Sequence, residues 1–416
     1  MITEQGRIVR PLGAFERTID FYMHRNPVQF SLVAELDGRV SPASAAAALA
    51  VLRDRHPLLG VAVDRTAPRA VFRTAGDAIP VEVAAAGTPW RSVVAAEQTR
   101  PIPPAPGPLA RAVLVPRETG CAVVLTFAHQ IADGVGGLRA LLDLVAILGG
   151  APPAPAAGGV PETQEDLLAR VGGTADAAGA ATDGAFPEND ARMNAAGELV
   201  PFAGRVPHVD ALALDRGPTA RLVERARAEG ASVHAALCAA AATVFHRRGR
   251  EFVRVLSPVD LRRAAGLPDD VAVRFTGART ASVAGDARGF WALARAARAS
   301  LVRQRAPHAL VAGSAALAER PPAGPGDAEA MMAAATAADV QITNLGAVDP
   351  DGPGPDGLTA LWGPAQITQL SGEHVLGVVT SGGRLRMTEL THDPVAAFVP
   401  DMAAVLAEAC AAGTAP

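Results

Sequence analysis

Residues 121–148 read CAVVLTFAHQIADGVGGLRALLDLVAIL, and this stretch decides the fold. The run 121–128 is apolar, β-prone and of strand length. Over 135–148, Leu138, Leu141, Leu142 and Val145 form the i, i+3, i+4, i+7 stripe of an amphipathic helix. Between the two lie His129, Gln130 and Asp133, followed by Gly134. A histidine placed where a buried strand gives way to a loop is held by a rigid frame and can still face a cavity. That is a good position for a general base.

Each residue also has a plainer reading. Asp133 stands directly before Gly134 and a helix, as an N-cap does. His129 then reads as a satisfied histidine at a strand end. Gly134-Val-Gly-Gly137 between a strand and a helix invites a dinucleotide-binding reading. Against it, the third glycine of G-x-G-x-x-G is replaced by Arg139, and a five-residue polar loop separates the glycines from the strand. A metal site needs a third ligand, which the local sequence does not offer.

Taken as a whole, His129-x-x-x-Asp133-Gly134 resembles the HxxxDG motif of the condensation-domain and chloramphenicol-acetyltransferase-like acyltransferases. That superfamily includes nonribosomal-peptide condensation domains, polyketide-associated acyltransferases and alcohol acyltransferases. Many members carry two histidines; here the first position is Ala128, and the second, catalytic one is His129. Three further segments agree in order: Arg55-His-Pro-Leu-Leu59, Pro258-Val-Asp-Leu-Arg262 and Ile342-Thr-Asn-Leu-Gly346. The stretch 108–114 (PLARAVL), leading into the histidine strand, fits as well. The DFGWG motif of peptide-forming condensation domains is absent, and Asp351-Gly-Pro-Gly354 reads as a Pro/Gly turn. The resemblance is therefore to stand-alone acyltransferases.

The resemblance implies an α/β fold of the α+β two-layer kind. Two chloramphenicol-acetyltransferase-like halves would form a V with a tunnel between them. Residues 1–150 would be the half carrying HxxxDG, 151–204 an Ala/Gly/Pro-rich crossover linker, and 205–416 the C-terminal half. His129 would be the general base. Arg262 would hold Asp133 across the boundary, with Arg263 as a neighbour able to do the same. A partly buried Asp is expensive unless paired, and an Arg fork fits it bidentately. Gly134 would permit a tight exit from the loop. Asn344 is either a donor to substrate or to a developing oxyanion, or a turn residue before Gly346.

Composition sets outer bounds. The chain has 416 residues, 49% hydrophobic and 19% charged, ample for a core. Its net charge of −4 gives no electrostatic support to a nucleic-acid role. No lysine occurs, so all 38 basic residues are Arg, which points to a GC-rich, bacterial coding sequence. Cys121, Cys238 and Cys410 lie far apart in apolar surroundings, which suits a reducing cytoplasm. The N-terminus has no apolar core like that of a signal peptide, and no apolar run reaches the ~20 residues of a membrane span.

Other candidates have mainly structural readings. His56 stands before Pro57 at a helix stop. His234 and Cys238 sit at i, i+4 on an apolar helix over 232–246, without a third group to orient them. The run 246–250 (HRRGR) reads as a solvated helix C-terminus, or as a contact for an acidic carrier or a coenzyme A phosphate. One short helix is expected over 162–170 within the linker.

The reading is an acyltransferase of natural-product or lipid metabolism. It would move an acyl group from a coenzyme A or acyl-carrier-protein thioester to a small-molecule hydroxyl or amine. No cofactor beyond the thioester co-substrate, no metal and no membrane span are expected. A monomer follows from two halves in one chain. There is no G-x-S-x-G elbow for an acyl-enzyme. The alternatives are a non-catalytic carrier-docking module, or the same fold turned to hydrolysis, cyclisation or dehydration of a thioester.

Overall fold

The computed structural model describes residues 6–151, 159–172, 190–285, 289–348 and 357–411. The apolar run becomes the strand Cys121–Ala128, buried throughout. It lies mid-sheet in the order Leu358–Gln366, Gln29–Leu36, Cys121–Ala128, Ala110–Pro116, Val81–Val83. Burial on both faces explains why the run does not alternate. Val123, Leu125 and Phe127 enter one core. Ala122 and Val124 enter another.

On the first face lie the helices Pro42–Arg55 and Gly134–Leu148, through Leu49, Leu52, Leu138, Leu141 and Leu144. Each such leucine contributes roughly 1.5–3 kcal/mol by leaving water. Ser41 caps the first helix by accepting from the Ser44 N–H at 3.0 Å, with Pro42 at the first helical position.

A six-stranded sheet organises the second half, in the order Phe275–Val283, Phe252–Asp260, Val340–Val348, His374–Ser381, Arg384–Thr391, His208–Leu214. The helix Val233–Arg247 is buried nearly all round, as its apolar sequence predicts. Its alanines leave room for Phe290–Gln304 and Phe398–Ala411 to pack against it. A small third sheet, Ile8–Pro11, Val71–Thr74 and Val61–Asp64, completes the mixed α/β architecture.

Two elements join the halves. The helix expected near 162–170 is Gln164–Gly172. Its Leu167 and Leu168 pack with Leu261, Leu267 and Leu310. Its Glu165 accepts from the Phe15 N–H at 2.7 Å, at the start of the helix Ala14–Tyr22. The second element is Leu358–Gln366, which follows a strand of the six-stranded sheet in sequence but pairs antiparallel with Gln29–Leu36. The expected turn at Asp351–Gly354 lies outside the described residues.

Where the two sheets touch, a Cβ on Gly377 would lie 2.0 Å from the Pro364 carbonyl oxygen. Backbone cannot yield there as a flexible side chain can. Gly377→Ala is expected to cost about 1–3 kcal/mol or more, read as a lower denaturant midpoint. No single helix among the described residues is long and apolar enough to cross a membrane.

Candidate active site

His129 directly follows the end of its strand. Its N–H donates to the Val28 carbonyl at 2.9 Å, continuing the ladder in which Gln29 faces Ala128. The imidazole lies between the rings of Phe30 and Phe275, each with its centroid 5.1 Å away. Nδ1 is buried and makes no hydrogen bond. The backbone groups of His129 and Ala132 also lie near the ring. Nε2 is the ring nitrogen left open. Burial pushes the imidazole below its usual pKa, against the opposing pull of the Asp133 charge and of those backbone groups.

Asp133 fulfils both of its readings. Its Oδ1 caps the helix Gly134–Leu148 by accepting from the Gly136 N–H at 2.8 Å. Its Oδ2 accepts from Arg262 Nη1 at 2.9 Å and from the Arg274 backbone N–H at 2.7 Å. The pairing with Arg262 therefore forms, but not as a bidentate fork. One nitrogen, Nη1, spans both carboxylate oxygens, the second at 3.2 Å. The other, Nη2, donates to the Asp270 and Ala272 carbonyls at 2.8 and 3.0 Å. Burial works against the Arg262 charge; Asp133 and Asp260 more than offset it and leave its pKa raised. With these donors in place, the Asp133 carboxylate is committed to structure and does not bond to the imidazole.

Gly134 matters for close approach, and not for the turn expected of it. It shows no left-handed backbone. A Cβ there would stand 3.0 Å from Leu345 Cδ2, on a strand of the six-stranded sheet, and 3.4 Å from Pro364 Cγ, on the strand Leu358–Gln366 of the five-stranded sheet.

Two cavities meet at His129. The larger, about 710 Å³, is mostly apolar and runs past Phe15, Ile19, Leu256 and Met332 to Arg279. The smaller, about 60 Å³, is walled by Asp133, Gly134, Thr343 and Asn344. His129, Pro258, Phe275, Gln341 and Gln366 line both. Asn344 lies inside the strand Val340–Val348 and not at a strand end. Its Oδ1 accepts from the Gly346 N–H at 2.9 Å, so the turn role holds, and the residue also lines the smaller cavity.

Several other candidates stay apart from this junction. His56 Nε2 bonds Asp143 Oδ2 at 2.8 Å and ties two helices together. His234 Nε2 bonds Ser257 Oγ at 2.8 Å, and burial holds this imidazole down at about 4. Burial pushes the Cys238 thiol up to about 12, so the two do not form a nucleophile pair. In the 246–250 run, Arg247 pairs with Glu408, Arg248 with Asp401 and Arg250 with Asp339. Among the described residues no cluster of His, Cys, Asp and Glu has the form of a metal site.

Sequence reasoning missed Arg274, Asp270, Gln341 and Gln366. Arg274 is fully buried, with Nη2 on Asp270 Oδ2 at 2.8 Å and its backbone on Asp133. One signal was present: the tripeptide Gln-Ile-Thr occurs at both 341–343 and 366–368.

Residues 203–368 match the family model described as phthiocerol/phthiodiolone dimycocerosyl transferase C-terminus, a segment that excludes His129. No curated protein matches the sequence. The fold is similar to that of polyketide synthase associated protein 5 from Mycobacterium tuberculosis, at 17% identity, TM-score 0.67 and 98% of each chain. It is similar to the first condensation domain of the calcium-dependent antibiotic synthetase, at 14% identity, TM-score 0.69, 98% of this chain and 97% of that one. The epimerization domain from the third module of tyrocidine synthetase B also resembles it, at 12% identity, TM-score 0.60, with 98% and 97% covered. The fold is thus similar to that of condensation domains and of a polyketide synthase associated protein, and residues 203–368 carry the similarity to the dimycocerosyl transferase C-terminus.

Proposed function

We propose that this protein is an acyltransferase that moves an acyl group from a thioester to a hydroxyl or amine. The thioester would be carried on coenzyme A or on the phosphopantetheine arm of a carrier protein. The observation that carries the reading is the position of His129: its open Nε2 stands where the two cavities meet. Donor and acceptor can approach such a junction from different sides. The relatives include a polyketide-associated protein and a domain of an antibiotic synthetase, which supports a place in natural-product assembly.

The chemistry follows from a neutral imidazole. The acceptor O–H or N–H gives its proton to His129 Nε2 as the heteroatom attacks the thioester carbon. The carbonyl electron pair moves to oxygen. When the carbonyl re-forms, the C–S bond breaks and the thiolate takes the proton back from His129. Nδ1 keeps its own proton throughout. Asp133 fixes the loop and moves no proton, because its lone pairs already accept from Gly136, Arg262 and Arg274.

Burial disfavours the imidazolium, so the base stays neutral to lower pH than an exposed histidine. The acidic limb of kcat/KM is expected below the ordinary value of about 6.5, with rate lost only as pH falls through the lowered value. A limb above that value would contradict the assignment.

The direct test is intact-mass and thiol-release assay against a panel of acyl-coenzyme A and acyl-carrier donors with alcohol and amine acceptors. Thiol release with a mass-shifted acceptor is the expected result. Release with free acid alone would indicate hydrolysis. Retained carrier binding without any release would indicate a docking module.

A further inference from the structure

The two cavities share three polar side chains: His129, Gln341 and Gln366. The glutamines reach the junction from different sheets. Gln341 is on the strand Val340–Val348 of the six-stranded sheet, opposite Leu256. Gln366 ends the strand Leu358–Gln366 of the five-stranded sheet, opposite Phe30. Phe30 in turn packs its ring on the imidazole of His129.

The repeated Gln-Ile-Thr tripeptide explains how each is aimed. In the strand Val340–Val348 side chains alternate, so Gln341 and Thr343 share one side and Ile342 takes the other. Ile342 enters the core of the second half, and Ile367 a core beside the first sheet. Gln341 and Gln366 are thereby turned to the junction. Beyond them, Thr343 lines the smaller cavity and Thr368 the larger.

Both glutamines are more than nine-tenths buried, at 8% and 7% exposed. Among the described residues neither side-chain amide has a hydrogen-bond partner. Their amide atoms are not sealed off from the cavities, as Gln130 Oε1 is from its surroundings, and so are free to meet a bound ligand. Asn344 differs, since its carbonyl is already engaged by Gly346 and it does not line the larger cavity.

We propose that Gln341 and Gln366 are catalytic residues that donate their side-chain N–H groups to the thioester carbonyl oxygen as it becomes an oxyanion. The inference rests on the acyl-transfer reading and deepens it. As the acceptor oxygen or nitrogen bonds to carbon and its proton passes to His129, the carbonyl pair becomes a lone pair on oxygen. The two amides receive that charge from opposite sheets. When the intermediate collapses the pair returns to the C=O bond, the thiolate leaves, and the amides are released. Amide donors presented from two sheets at a mostly apolar cavity stabilise such charge better than water does.

The experiment compares Gln341→Leu, Gln366→Leu and Gln366→Met with wild type and His129→Ala. It uses the acyl-N-acetylcysteamine and alcohol or amine pair that wild type turns over fastest. Removing one donor is expected to lower kcat about 10²- to 10³-fold and to leave KM within about threefold. Gln366→Met keeps the side-chain length without the donor and must fall with Gln366→Leu. Thermal melts of the variants near that of wild type exclude misfolding as the cause. If His129→Ala abolishes turnover while all three glutamine variants keep kcat, the oxyanion role is overturned and acyl transfer stands. A rise in KM at unchanged kcat also overturns it, because the amides then bind only ground-state substrate. Turnover that survives His129→Ala removes His129 as the base but leaves acyl transfer standing, whereas a wild type that transfers no acyl group from any donor overturns the acyl-transfer reading, and this inference with it.

Discussion

His129→Ala is expected to slow acyl transfer about 10²- to 10⁴-fold, the range by which a positioned general base accelerates such a step. The fold should survive. Apart from its backbone bond to Val28, His129 makes no hydrogen bond, and its Nδ1 is a buried, unpartnered polar atom. Truncation removes ring contacts with Phe30 and Phe275, but it also removes a desolvated nitrogen. The two effects oppose each other, so the thermal midpoint should move little. Initial rates of thiol release and a melting curve on the same preparation separate the two readouts. Near-normal turnover in this variant would exclude His129 as the base.

Arg262→Met is expected to fail differently, losing stability and activity together. Arg262 is buried and holds Asp133, Asp260 and two backbone carbonyls. Removing it leaves the Asp133 carboxylate buried with only the Gly136 and Arg274 N–H donors. Breaking one side of such a pair costs about 3–5 kcal/mol, a large share of the roughly 5–15 kcal/mol that holds a typical domain together. The loop carrying His129 would lose its anchor to residues 270–274, so residual folded protein should also be slow. The double variant Asp133→Asn with Arg262→Met should be less damaged than the sum of the singles, since no charge is then stranded. Denaturant midpoints for the four proteins give the coupling directly. An Arg262→Met midpoint equal to wild type would contradict this account.

The parts of this molecule that speak through local pattern were readable beforehand. Cys121–Ala128, Gly134–Leu148 and Val233–Arg247 each carry their own period or apolar run, and all three form where expected. The pairing of Asp133 with Arg262 was reachable through the motif. What stayed hidden depends on distant partners. Leu358–Gln366 contains Pro364 and has neither alternation nor a β-branched run, and only its pairing with Gln29–Leu36 makes it a strand. The helices Pro307–Glu319 and Pro325–Thr336 are alanine-rich and lack an apolar stripe. Arg274 and Asp270 resemble ordinary surface charges in sequence, and their burial comes from the clamp around Asp133. Gln341 and Gln366 mean little until two sheets bring them to one histidine.

The late strand also constrains how the chain is made. Thr359 and Glu35, hydrogen-bonded in the finished sheet, are 324 positions apart. At roughly 5–20 residues per second of synthesis, the edge of Gln29–Leu36 waits about 15–65 seconds for its cover. During that interval an open, apolar strand edge can pair with other nascent chains. Ribosome-bound protein truncated before Leu358 should therefore be the species that chaperones hold, and the N-terminal half expressed alone should aggregate.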